Sequence, residues 1–139
     1  MGRRLTRLGA ALLLGLVLGV GPAAAADPPD PGTARSFTFG DYSYIVYVPT
    51  TYDAAKPAPL VVMTHGCQTT AEQQMKANLY NVVAEREGIV MLYPDVTDAE
   101  AAQPGPLSRC WQFPVPTQWH RDAPDPSAIA GMTHAVMDR

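Results

Sequence analysis

The chain has 139 residues, with ten basic and thirteen acidic side chains, three histidines and a formal net charge of −3, and 47% of it is hydrophobic. A weakly acidic balance without a basic cluster argues against nucleic acid or anionic lipid as a partner. The length suffices for one domain with a core of its own.

Met1–Ala26 reads as a secretory signal peptide: Arg3, Arg4 and Arg7 precede an apolar stretch from Leu8 to Val20, and Ala24, Ala25 and Ala26 offer a small-residue cleavage site before Asp27. That stretch is about 13 residues, short of the roughly 18 needed to cross a bilayer. The expectation is therefore a secreted, extracellular protein with no stable membrane insertion after the leader is removed. The Arg3–Arg4 pair does not make a twin-arginine signal, because Thr6 and Arg7 follow where apolar residues are preferred. Seven basic and thirteen acidic side chains then remain, a formal balance of −6.

Residues 27–35 are rich in proline and glycine and predict a flexible arm. Ser36–Phe39 and Tyr42–Val48 are aromatic and β-branched and flank Gly40 and Asp41, the signature of an antiparallel hairpin. A loop with three prolines spans Pro49–Pro59. Leu60–Met63 is short and continuously apolar, as expected of a parallel central strand buried on both faces.

Thr70 with Gln73 three residues on makes a capping box. Met75, Leu79, Val82 and Val83 then recur at helical spacing up to Gly88, predicting a helix over 71–87 with that face on a sheet. Ile89–Tyr93 is a second apolar strand, so strand, helix and strand form a βαβ unit with parallel pairing. Pro94–Pro124 is a long loop carrying Trp111, Phe113 and Trp119, of a length that is usually functional or disordered. Asp125 as N-cap and Pro126 at the first helical position start a final helix with Ile129, Met132, Thr133 and Val136 on one face. The fold class is α/β, in the order of the first part of an α/β-hydrolase fold, before the strand that ends in the G-x-S-x-G elbow.

The chemistry concentrates where the strand at 60–63 breaks into Thr64, His65, Gly66 and Cys67 just ahead of the capped helix. Backbone N–H groups at such a junction are free to stabilise a negatively charged oxygen, so the loop reads as half of an oxyanion hole. The four serines after the leader, Ser36, Ser43, Ser108 and Ser127, lack glycines at the elbow spacing. Cys67 and Cys110 form either a disulfide, favoured by export, or two buried free thiols. Closing about 43 residues would stabilise the chain by roughly 4 kcal/mol. Their spacing matches no zinc or Cys-x-x-Cys pattern, so no metal is expected.

The run Pro59–Cys67, the later Tyr93 and Pro94, and the pair Cys110–Trp111 resemble the N-terminal half of secreted poly(3-hydroxyalkanoate) depolymerase family esterases, relatives of feruloyl and acetylxylan esterases. The likeness runs from about Tyr44 to Arg139. It implies that the Cys67 N–H donates to a tetrahedral oxyanion, that Gly66 permits close approach, that Cys67 is bonded to Cys110, and that Trp111 lines the substrate cleft. It also implies a serine esterase without cofactor, acting on a polymeric or small ester, whose catalytic serine, acid and histidine lie beyond Arg139. On this reading residues 36–139 are a partial esterase domain without its triad, and inactive alone.

Since the family's base comes from elsewhere, His65 is expected to shape the loop, and His120 and His134 to be surface residues. Trp119 is expected in the core or in a lid, and Glu85, Glu87, Asp98 and Glu100 on a solvated surface. A reading from another class is a non-catalytic secreted remnant whose aromatic loop binds a polymer.

Overall fold

The computed structural model describes residues 32–112 and 114–139. The signal-peptide reading and residues 27–31 of the arm lie outside the described residues. The predicted hairpin is present as β1 (Thr33–Phe39) and β2 (Tyr42–Val48), with Phe39 opposite Tyr42. Gly40 has φ +57°, the left-handed conformation that a two-residue hairpin turn requires. β1 begins earlier than expected, since Thr33, Ala34 and Arg35 pair with Val48, Tyr47 and Val46. Their side chains are exposed, so the pairing rests on the backbone and leaves no mark in composition.

β3 (Leu60–Val62) and β4 (Val90–Pro94) pair in parallel, as the βαβ pattern predicts, within a mixed four-stranded sheet of order β1-β2-β4-β3. The predicted central place of β3 is corrected. β4 is flanked by β2 and β3 and is buried along its whole length, whereas β3 has one partner among the described residues and is half-buried.

The single helix expected over 71–87 is two helices, α1 (Ala71–Ala77) and α2 (Tyr80–Glu87). Leu79 takes φ +54° and turns the chain between them. The turn resets the helical phase, so Leu79 and Val82, assigned to the packed face, are 67% and 63% exposed, and Val83 is exposed as well. Ala71 and Ala84 meet the sheet instead, with Met75 half-buried beside them. The predicted start and stop both hold: Thr70 and Gln73 form the capping box, and Gly88 closes α2 at φ +67°.

The long loop contains a short helix, α3 (Asp98–Ala101), and two 3-10 turns, Gly105–Leu107 and Pro116–Gln118. The last helix, α4, spans Pro124–Met137, with Ala123 rather than Asp125 at its N-cap position and no side-chain cap. Its predicted face is correct, with Met132 fully buried and Ile129, Thr133 and Val136 half-buried.

Alternation along β2 and β4 builds two cores. Tyr44, Val46, Val48, Val90 and Leu92 pack with Ala128 and Met132 of α4. Tyr47, Met91 and Tyr93 pack on the opposite face with Ala71 and Ala84. The fold is α/β, a sheet between two helical layers, in the order of the first part of an α/β-hydrolase fold. No helix among the described residues is long and apolar enough to cross a membrane.

Candidate functional site

The parallel pairing of β3 with β4 brings the loops at the ends of both strands together, so Thr64–Thr70 meets Asp95 and the segment around Cys110. Cys67 and Cys110 are joined by a disulfide. Trp111 lies buried under the loop, where its indole N–H donates to the His65 carbonyl at 3.1 Å and its ring lies 5.4 Å from the imidazole.

Two of the helix-start amides expected to face an anion are already in use. Ala71 N–H donates to Asp95 Oδ2 at 3.0 Å and Gln73 N–H to Thr70 Oγ1 at 3.0 Å. Gln68 N–H is also engaged, with Ser108 O at 2.9 Å, and Thr69 N–H with Gly66 O at 3.3 Å. Gly66 and Cys67 differ, since their N–H groups meet no acceptor among the described residues. Gly66 is exposed, and a Cβ built on it would meet nothing within 4 Å. An incoming oxygen has room there.

Asp95, which the sequence reading passed over as part of a loop, organises the site. Its carboxylate receives Ala71 N–H, Val96 N–H at 2.9 Å and Arg109 Nη2 at 3.1 Å, and His65 Nε2 lies 3.0 Å from Oδ1. Burial by itself would raise its pKa. The His65 contact, the Ala71 N–H and Arg109 outweigh that and hold the carboxyl below its ordinary value. The ring is not oriented for a linear hydrogen bond between Nε2 and Oδ1, so the two meet as a close contact. Arg109 also donates from Nε to Thr69 O at 3.1 Å. The available signal for Asp95 was its place at the end of a buried strand, directly across from the glycine loop.

Two residues here, Gln68 at φ +63° and Arg109 at φ +54°, hold left-handed conformations without being glycine. Each such conformation costs on the order of 1–3 kcal/mol and persists where surrounding bonds impose it. The Gln68 N–H bond to Ser108 O and the Arg109 N–H bond to Glu100 O do so here.

Beside the loop, a cavity of about 330 Å³ is lined by Thr64, Trp111, Trp119, Asp125 and Ile129 among others. Trp119 is 70% exposed, which excludes the core half of its expectation. Glu100 was expected on the surface but is buried, accepting Thr97 N–H and Oγ1–H at 2.9 Å. Asp125 is buried as well, accepting Tyr42 Oη–H at 2.8 Å and Gln112 N–H at 2.6 Å, which is why it does not cap α4. Glu85 is likewise no plain surface acid, since it binds Tyr47 Oη and the N–H and hydroxyl of Thr50. His120 and His134 are exposed, as expected, as are Glu87 and Asp98.

Among the described residues, no serine hydroxyl is hydrogen-bonded to a histidine, and no cluster of three or more His, Cys, Asp or Glu is placed to hold a metal ion. The arrangement can present two backbone donors to a developing negative charge.

A solved structure of an acetyl xylan esterase from Aspergillus awamori is similar at 25% identity with a TM-score of 0.41, over 45% of this chain and 24% of that one. The chain thus spans about a quarter of that protein's length. A search of curated proteins gives no match. The family model described as esterase PHB depolymerase matches residues 42–135, two thirds of the sequence, and the chain belongs to that family.

Proposed function

We propose that the protein is a secreted carboxylic-ester hydrolase of the serine type, with the Gly66 and Cys67 N–H groups as oxyanion donors and Trp111 lining the substrate cleft. The observation that carries this reading is the pair of unengaged amides beside open space, in a chain of an esterase family. An oxyanion donor of this kind is worth about 3–4 kcal/mol in the transition state. It acts on an acyl-enzyme reaction begun by a serine that stands outside Ser36, Ser43, Ser108 and Ser127, with its acid and base also outside these residues. The substrates are polyhydroxyalkanoates, or feruloyl and acetylxylan esters as the alternative class. His65 shapes the loop and is not the general base. The disulfide supports passage through an oxidising compartment.

The test is hydrolysis of a p-nitrophenyl ester by the intact exported protein, with an organophosphorus reagent to mark the nucleophile. Turnover abolished by labelling of a serine other than these four is the expected result. Absence of turnover, with retained binding to polyester granules, favours the polymer-binding reading instead. Residues 1–139 alone are expected to give no turnover above background.

A further inference from the structure

The Gly66 carbonyl and the Cys67 N–H belong to one peptide unit. In a trans peptide they point in opposite directions, so whatever holds the oxygen aims the hydrogen. No peptide bond among the described residues is cis. The Gly66 oxygen is held from three sides, by His65 Nδ1 at 2.7 Å, Thr69 Oγ1–H at 2.7 Å and Thr69 N–H at 3.3 Å. His65 is 3% exposed, so its ring pulls that oxygen toward the interior and turns the Cys67 N–H outward.

The ring needs a reason to stay in that pose. Its far edge meets Asp95, whose Oδ1 lies 3.0 Å from Nε2, on the side of the ring away from Gly66 O. With Nδ1–H donated to Gly66 O, the imidazole bridges that carbonyl and the Asp95 carboxylate. Arg109 adds a cation on the same carboxylate and ties the carbonyl of Thr69, the residue that supplies the other anchors of Gly66 O.

We infer that Asp95, acting through His65, is the positioning residue that sets the direction of the Cys67 N–H. The inference rests on the esterase reading and adds to it a residue that touches neither substrate nor reacting atoms. The buried carboxylate preorganises a donor by fixing the far side of its peptide plane. A misdirected donor loses part of the roughly hundredfold to thousandfold in kcat that such a group supplies.

The test is a double-mutant cycle in the intact protein with Asp95→Asn and His65→Ala, together with His65→Asn, whose amide nitrogen can replace Nδ1 as donor to Gly66 O. Asp95→Asn is expected to lower kcat by about tenfold or more with KM within about twofold, and to weaken a trifluoromethyl ketone analogue by the same factor as kcat/KM. His65→Asn should recover part of what His65→Ala loses, and Asp95→Asn should add little in the His65→Ala background. Unchanged kcat in folded Asp95→Asn, or effects that multiply in the double variant, would overturn the inference. If the wild type hydrolyses no ester, the esterase reading fails by itself. The Gly66 and Cys67 amide NMR signals then decide the positioning claim: displaced or doubled in Asp95→Asn supports it, and unchanged overturns it.

Discussion

Gly66 separates conformational from chemical demand at a single residue. Its φ is not in the left-handed region and a Cβ would meet open space, so Gly66→Ala should fold with stability within about 1 kcal/mol of wild type. The same methyl would occupy the approach to the two amides. The expected outcome is a tenfold or greater fall in kcat/KM, roughly the loss of one misplaced donor, at an unchanged urea midpoint. Asp95 and Glu100 oppose each other in pH dependence. Asp95 has a folded pKa below its ordinary 3.8, so its stabilisation is present above that value and is lost as pH falls through the lowered one. Glu100 has a folded pKa above its ordinary 4.5, because burial outweighs the Thr97 bonds and the neighbouring Asp125 adds to the shift. Its contribution is complete below pH 4.5 and is lost as pH rises through the raised value. Glu100→Gln, which needs no ionisation, should therefore gain in Tm relative to wild type as pH rises from 4.5 to 8, measured by calorimetry across that range.

At the scale of elements, the two sheet faces are closed by helices of different character. α4 is anchored by Met132, which is fully buried between Ala128 and the strands, so Met132→Ala should cost about 2–5 kcal/mol, read as a lower urea midpoint. α1 and α2 touch the opposite face through alanines, which bring their backbones near the sheet but bury little area. The apolar residues Leu79, Val82 and Val83 made the longer helix look well packed in the sequence. Periodicity counts residues and does not register a left-handed turn at Leu79, whose side chain gives no glycine-like signal. The capping box at Thr70 and the stop at Gly88 were legible because each is a local bond or a local φ. The N-cap at Asp125 was misread because the same carboxylate has two distant partners, Tyr42 and Gln112. Those partners sit far away along the chain, and no window of sequence joins them.

In the whole molecule, the Cys67–Cys110 disulfide clamps the candidate oxyanion loop to the segment carrying Arg109 and Trp111. Replacing both cysteines by serine should cost about 2–5 kcal/mol in chemical denaturation, and non-reduced peptide mapping of exported protein should recover the linked pair. The sequence by itself determined the class and order of the elements, the hairpin, the parallel strand pair, and the glycine-bearing loop that follows the first of those strands. Strand patterns, turn residues and caps are local, and a βαβ segment has few ways to close. Only the tertiary structure decided that β4 rather than β3 is central, that the helix at 71–87 is broken, and that Glu100 and Asp125 are buried. It also showed Asp95 as the centre to which the loop is tied. Each of these depends on which distant groups meet across the fold, and the free energy that selects such meetings is spread over contacts no stretch of sequence contains.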